Sequence, residues 1–336
     1  MNRLVSIIIV NYNGAEFIEE CIESVMHQTY KEWEIVMLDN NSKDDSVQLI
    51  KKYPFVKLIE SKENLGFAKG NNEAIKCANG EYIALLNNDA RADSDWLGNL
   101  VTVLEENQDL GSCGCKIISH YDPDVMDSAG LLVNVSGMSR GRGRNENILK
   151  YNHSESILIP SGCAAIYRKS ALDEVGLFDE DFFCYCEDTD LGFRLQIAGW
   201  KCFYVSEAIV HHRYSASAGK YSLFKTYLVE RNHYWFVIKN YPTSLLLMNP
   251  IYTLRLYLYQ LVNMYKEKGA TNELMNNSSK KDLFLTLFKA HKDVWGKFLV
   301  MMRKRSEINK LKKVDNKQIK EWIKQYNISF SDLFKS

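Results

Sequence analysis

Leu4-Val-Ser-Ile-Ile-Ile-Val-Asn-Tyr-Asn-Gly14 is an apolar run rich in β-branched residues that stops abruptly at Asn11-Tyr12-Asn13. Such a run, bounded by polar turn residues, reads as a strand buried on both faces. Gly14 then opens an amphipathic stretch to Gln28, with Phe17, Ile18, Cys21, Ile22, Val25 and Met26 on one helical face. The same unit recurs downstream. Glu34–Leu38, Val56–Ile59 and Glu81–Leu86 read as strands, and Asp44–Lys52 and Ala68–Cys77 as the helices between them. Alternating strands and helices imply an α/β fold around a largely parallel sheet, in which ligands sit beyond the carboxyl ends of the strands.

Three of these strands end in polar clusters: Asn11-Tyr12-Asn13, Asp39-Asn40-Asn41 and Asn87-Asn88-Asp89. Any one of them is explained by turn and cap chemistry, and Asp39–Ser42 reads as the cap of the next helix. Three at one sheet edge point to a polar ligand site. Asp89 can reach a divalent cation, and hard cations share few carboxylates with phosphate and water.

Beyond residue 110 the pattern changes. Gly111–Ile118 and Leu131–Val135 read as strands flanking Ser139-Arg-Gly-Arg-Gly-Arg144, a mobile stretch for which a phosphate clamp and a solvated loop are both open. Pro160-Ser-Gly-Cys-Ala-Ala165 is a small-residue turn entering a strand, followed by a helix capped at Ser170. Glu187, Asp188 and Asp190 crowd three carboxylates into four residues ahead of a helix read as Leu191–Gly199. The helix dipole explains part of that cluster, and helical geometry lets one carboxylate face a pocket while another bonds locally. Lys201–His212 reads as a strand, so only one of His211 and His212 can face the site. Ser215 and Ser217 suggest a polar rim.

The chain has 336 residues, 46% of them apolar and 25% charged, and no net charge. Residues 1–220 carry 21 Lys+Arg and 33 Asp+Glu, a balance of −12, and residues 221–336 carry +12. The first division expected is therefore 1–220 and a basic, helical 221–336. A uniformly basic nucleic-acid coat is excluded. The eight cysteines form no disulfide framework and read as reduced, buried thiols; neither Cys113/Cys115 nor Cys184/Cys186 has a second pair at zinc spacing. The N-terminal apolar run is too short for a secretory signal, and Leu245–Met264 is too interrupted to span a membrane. A reducing cytoplasm is the expected compartment.

Walker, G-x-G-x-x-G, H-E-x-x-H and G-x-S-x-G motifs are absent. What is present, in order, is Val5–Asn13, Leu38-Asp-Asn-Asn-Ser42, Asn64-Leu-Gly-Phe-Ala-Lys-Gly-Asn71, Leu86-Asn-Asn-Asp89, Pro160–Ala165 and Glu187-Asp-Thr-Asp-Leu-Gly-Phe-Arg194. These six motifs resemble family 2 glycosyltransferases, and most closely their rhamnosyltransferase-like branch, over residues 4 to about 217. The resemblance implies a single glycosyltransferase A domain, Rossmann-like with a mixed, mostly parallel sheet, carrying a helical C-terminal extension. It implies an inverting transfer from a dTDP- or UDP-sugar, rhamnose in the first instance, to a cell-surface polysaccharide or lipid-linked acceptor. By analogy Asn11, Tyr12, Asn13, Asp39, Asn64, Gly66, Lys69, Asn87 and Asn88 line the donor, with Asp39 on the pyrimidine. Asn87-Asn88-Asp89 takes the place of the D-x-D motif, with Asn where the first Asp is often found. Asp89 would then hold Mg²⁺ or Mn²⁺ together with His212, with His211 the alternative. Asp188 falls on the family's general base, beside Glu187.

Two rival readings remain: a sugar nucleotidylyltransferase, which would need a basic loop after the first strand, and a non-catalytic scaffold. The expected partners are the donor, the glycan acceptor and an anionic membrane surface at the inner face, with no nucleic acid and a homo-oligomer left open. The membrane expectation rests on Asp282–Arg305, which places Leu283, Leu287, Ala290, Val294, Phe298 and Met301 on one stripe of a helix. The alternative is that this stripe packs on the protein.

Overall fold

A computed structural model describes residues 3–213, 222–265 and 279–335. Ser215 and Ser217, and most of the Gly269–Lys280 stretch, lie outside the described residues. In chain order the elements begin with β1 (Val5–Asn11), α1 (Ile18–Met26), β2 (Trp33–Asp39), α2 (Ser46–Ile50), β3 (Val56–Glu60) and α3 (Gly66–Lys76). There follow β4 (Tyr82–Leu86), β5 (Ala90–Ala92), α4 (Trp96–Glu106), β6 (Leu110–Ser119), β7 (Met126–Ser128), β8 (Leu131–Val133), β9 (Ser139–Gly141) and β10 (Glu155–Ile157). Next come β11 (Ala164–Arg168), α5 (Lys169–Val175), α6 (Glu187–Ile197) and β12 (Lys201–His212). The remainder is helical: α7 (Leu223–Asn240), α8 (Thr243–Tyr265), α9 (Lys280–Gly296), α10 (Phe298–Leu311), α11 (Asn316–Gln325) and α12 (Phe330–Leu333).

The chain divides into two compact units. The first comprises Met1–Leu131, Gly141–Gln196 and Trp200–Ser217; the second comprises Leu132–Arg140, Ile197–Gly199 and Ala218–Ser336. Two short inserts thus join the second unit, so position along the chain does not by itself draw the boundary.

The first unit is built on a ten-stranded sheet in the order β10-β12-β6-β11-β4-β1-β2-β3, with β5 on β12 and β7 on β6. β4, β1, β2 and β3 are parallel, and β12 runs parallel to β6. β11 enters between β4 and β6 antiparallel to both, which makes the sheet mixed. Ile7, Ile8 and Ile9 are each at most 1% exposed, as a strand covered by helices on both faces requires. Each such side chain contributes about 1.5–3 kcal/mol of burial, so Ile7→Ala would strike the centre of the core. Because β1, β2 and β4 are parallel, their carboxyl ends emerge at one edge, and Asn11 sits directly opposite Asp39.

Several local expectations are corrected. Asp39–Ser42 does not cap α2, whose N-cap is Asp45 without a side-chain bond; the cluster bonds within itself instead. Ser170 lies inside α5, not at its cap. α6 begins four residues earlier than its apolar periodicity indicates, at Glu187, so the carboxylates occupy its first turn. Its end follows the sequence: Gly199 has φ +87°, and the Trp200 N–H donates to Leu195 O at 3.0 Å.

The arginine-rich stretch is anchored rather than loose. The Arg142 guanidinium lies 5.3 and 5.1 Å from the ring centres of Tyr151 and Tyr204 and donates to Ala129 O and Glu155. All eight cysteines are free thiols, and burial pushes the Cys113 and Cys115 thiols up.

In the second unit α9 packs on α7, with Lys289 over the Tyr227 ring and Tyr227 bonded to Asp293. The helix expected over Asp282–Arg305 breaks at Lys297. Ala290, Val294 and Met301 of its stripe are buried, at 0%, 4% and 0% exposure. The stripe read as membrane-facing therefore packs inward. Among the described residues no helix is long and apolar enough to cross a membrane.

Candidate active site

At the first end of the site, Asn11 and Asp39 are both almost fully buried. Asn11 Nδ2 donates to Asp39 Oδ1 at 2.9 Å, and Asn11 Oδ1 accepts from Asn88 Nδ2 at 2.8 Å. The Asp39 carboxylate also accepts from Ser42 N at 2.9 Å and Ser42 Oγ at 2.6 Å. Gly14 passes over this network so closely that a Cβ there would come within 2.3 Å of both Asn11 Oδ1 and Asn88 Nδ2. Asn13 closes the rim, with its N–H on Ser42 Oγ and its own Oδ1 accepting from Lys43 N. The Tyr12 ring stands exposed above it.

Asn64, Gly66 and Lys69 belong to the neighbouring wall. Asn64 Oδ1 accepts from Gly66 N at 2.9 Å, and Asn40 clamps the turn through Leu65 N and Gly66 O, both at 3.0 Å. Gly66 has φ +74°, and a Cβ there would meet Phe183 O at 2.5 Å, so only glycine fits. Lys69 is half-buried and has no hydrogen bond or ion pair among the described residues. Across this wall Ala68 N donates to Phe183 O at 3.0 Å. Phe183, Tyr185 and Cys186 all have positive φ, between 66° and 69°. For bulky residues that backbone is strained, and strain of this kind is held in place only where the surroundings dictate it. It sets the entry of α6.

The second end is built on Asp89 and His212, which are 7% and 8% exposed. His212 Nε2 lies 3.3 Å from Asp89 Oδ1, and its Nδ1 lies 2.6 Å from Asp127 Oδ2. Arg144 NH2 stands 3.4 Å from Asp127 Oδ1. Burial raises the Asp89 carboxyl, but His212 outweighs it and holds the group below its ordinary range. Burial likewise disfavours a charged His212, but the Cys163 thiol and the Asp127 and Asp89 carboxylates outweigh it, and its pKa rises well above the usual value. His211 turns the other way, onto Asp93 at 3.1 Å. Asn87 contributes backbone: its N–H donates to Cys163 O at 2.8 Å.

That bond joins Asp89 to the third element. Gly162 N donates to Asp188 Oδ2 at 3.0 Å, and Thr189 N to Asp188 Oδ1 at 2.7 Å. A Cβ on Gly162 would stand 3.1 Å from Asp188 Cβ, so the turn presses directly on the carboxylate. Burial raises the Asp188 pKa, opposed by those backbone bonds. Glu187 is pushed well above the ordinary carboxylate range by burial and by Asp188. Asp190 is taken up elsewhere, paired at 2.9 Å with Arg194, which also caps Val175, Gly176 and Leu177 carbonyls.

Among the described residues, Glu187 Oε2 is a buried carboxylate oxygen without a hydrogen bond, and Asp89 Oδ1 has only the His212 ring nitrogen beside it, at 3.3 Å. A carboxylate beside an imidazole is a donor set suited to Mn²⁺ or Mg²⁺ once the cation displaces the proton that Asp89 and Asp127 favour on His212. No three His, Cys, Asp or Glu side chains gather for a metal among the described residues. Such a cation would take its remaining positions from phosphate and water.

Asp127 was not foreseen from sequence. It sits on a three-residue strand with no motif, 85 residues from the histidine it touches.

The family model for Glycosyl transferase family 2 matches residues 6–176. An uncharacterized glycosyltransferase of Haemophilus influenzae is 30% identical over 227 residues, 62% of this chain and 65% of that protein. The chain thus spans just under two thirds of that relative's length. An N-acetylglucosaminyl-diphospho-decaprenol L-rhamnosyltransferase of Mycobacterium tuberculosis is 27% identical over 246 residues, 66% of this chain and 79% of that one. Among solved structures, a Pyrobaculum calidifontis mannosyltransferase in complex with GDP-Man and Mn²⁺ covers 93% of this chain and 86% of its own, with TM-score 0.54 and 18% identity. S. aureus TarS 1–349 in complex with UDP-GlcNAc covers 96% and 92%, with TM-score 0.56 and 18% identity.

Proposed function

The chain belongs to glycosyl transferase family 2, and from that premise we propose that it is a glycosyltransferase catalysing inverting transfer of a sugar from a dTDP- or UDP-sugar to a polysaccharide or lipid-linked acceptor. The observation that carries this reading is the placement of Asp188. It is a carboxylate held by two backbone N–H groups on a turn hydrogen-bonded to Asn87, two residues before Asp89.

In the reaction the acceptor hydroxyl oxygen attacks the anomeric carbon as the bond from that carbon to the diphosphate oxygen breaks. The hydroxyl proton passes to Asp188, a role worth about 10²–10⁴ in rate. The nucleoside diphosphate leaves on the opposite side, so the configuration inverts. Asp89 and His212 are the residues that would hold a divalent cation, which when bound neutralises charge on the leaving diphosphate. Asp39 accepts a hydrogen bond from the ring N–H of uracil or thymine, with Tyr12 beside the nucleoside. Rhamnose as donor sugar and a lipid-linked acceptor are supported by the mycobacterial relative's activity, and Mn²⁺ by the Pyrobaculum mannosyltransferase.

The test is Asp188→Asn. Turnover, read as nucleoside diphosphate release in the presence of acceptor, is expected to fall by about 10² or more while calorimetric affinity for UDP or dTDP is unchanged. Near-normal turnover would remove Asp188 from the role of base.

A further inference from the structure

The second unit exposes more apolar surface than a solvated helical region needs. On α8, Leu247, Leu254 and Leu258 are each between 52% and 75% exposed, and on α9 so are Phe284, Phe288 and Trp295. Their spacings place each set on one helical face. Those faces point outward: Leu254 and Leu258 lie two residues either side of Leu256, and Phe288 two residues before Ala290. Leu256 and Ala290 are both 0% exposed. Two residues correspond to about 200° of helical turn, the opposite side.

The two helices meet at one point. Tyr257 Oη on α8 and His291 Nε2 on α9 are 3.1 Å apart, and Tyr257 also bonds Glu230 of α7. Both helices therefore contact α7, and each turns its apolar row opposite its own buried residue, Leu256 on α8 and Ala290 on α9. Exposed Lys281 and Lys292 stand in the row on α9, and Arg255 flanks the row on α8.

We propose that this paired face of α8 and α9 docks the protein on an anionic bilayer surface. The occupant is chosen by the cations. Interfaces between protein copies are depleted in lysine, whereas helices lying at a bilayer combine Trp, Phe and Leu with Lys and Arg. Lysine stems lie along the apolar surface and keep their ammonium groups at headgroup level. The +12 balance of residues 221–336 matches an anionic partner. The inward stripe of Ala290 and Val294 plays no part, and the proposal does not rest on the chemistry of the sugar site.

The experiment is flotation of the full chain with vesicles of phosphatidylcholine alone or mixed with phosphatidylglycerol. The protein is expected to float with the mixed vesicles at low salt and to be largely released at high salt. Phe288→Ser with Trp295→Ser is expected to lower binding about tenfold or more, and Lys281→Gln with Lys292→Gln about tenfold at low salt only. Unchanged thermal unfolding and donor hydrolysis show that both variants are folded and that the sugar site is separate. The proposal is overturned if the wild type does not float at low salt, or if the Phe288/Trp295 variant floats as well as the wild type. It is equally overturned if light scattering shows a dimer that this variant dissociates, which would give the face to a second copy.

Discussion

The end of the site built on Asn11 and Asp39 differs from the end built on Asp89, His212 and Glu187 in how its buried polar atoms are satisfied. Around Asp39 each buried group meets a partner: Asn11 bonds Asp39 and Asn88, and Ser42 answers Asp39 twice. Around Glu187 one carboxylate oxygen is left without a hydrogen bond, and Asp89 Oδ1 has only the His212 ring nitrogen at 3.3 Å. A network in which each buried group already has a partner is rigid and suits recognition of a fixed shape, and Asp39 Oδ2, which accepts from Ser42 N, has capacity for one more donor. Unsatisfied buried oxygens are costly in the free protein and are relieved when a charged ligand arrives. On the proposed function, the first part would read the donor base and the second would take part in the reaction.

The sharpest way to break this contrast is through Asp127, which positions His212 by way of its Nδ1. Partners of metal-ligating histidines typically govern 10–100-fold in affinity. Asp127→Asn is expected to weaken Mn²⁺ binding about tenfold to 100-fold by calorimetry in the presence of nucleoside diphosphate, with fold and nucleotide-free stability retained. Equal Mn²⁺ affinity would make Asp127 a structural partner only.

A smaller effect tests the Asp39 end. A carboxylate acceptor at Asp39 favours bases with a ring N–H, so UDP and dTDP are expected to bind about tenfold or more tighter than CDP. If the three bind alike in competition measurements, Asp39 does not read the base.

The smallest effect concerns Glu187. Its folded pKa is raised above the unfolded value of about 4.3. The folded state therefore holds the proton more tightly, and stability falls as pH climbs from the unfolded pKa through the folded one. Glu187→Gln is expected to remove part of that decline, read as a shallower fall of stability with rising pH in denaturant titrations. Identical pH slopes for the two proteins would mean that Glu187 is not proton-linked to folding. Asp188 shifts in the same direction, so on its proposed role as base, turnover is expected to rise with pH as it ionises, which a pH–rate profile checks.

Most of the sheet and half of the site were legible in the chain. The apolar run ending in Asn11, and its counterparts ending at Asp39 and Leu86, have the period and the punctuation of buried parallel strands, and parallel strands must end together. Less legible were the α6 start and the helix after β11. Just before α6 three residues, Phe183, Tyr185 and Cys186, take left-handed backbone against their propensity, and Phe183 is held there by Ala68 N of α3. The stripe of Leu283, Leu287, Ala290 and Val294 shows the same limit from another side: its periodicity was visible, but what covers it was not.

By itself, then, the sequence determined which residues are apolar in register, where strands stop, and that His211 and His212 face opposite ways. Those properties follow from side-chain size, backbone preference and a two-residue period, all local. Only the tertiary structure decided that His212 rather than His211 meets Asp89, that Asp127 arrives behind it, and that Asp190 belongs to Arg194. It also decided that α9 buries Ala290 and leaves Phe288 and Trp295 outside. Each of these depends on which distant segment packs alongside, and a contact spanning 85 residues leaves no periodic trace in either partner.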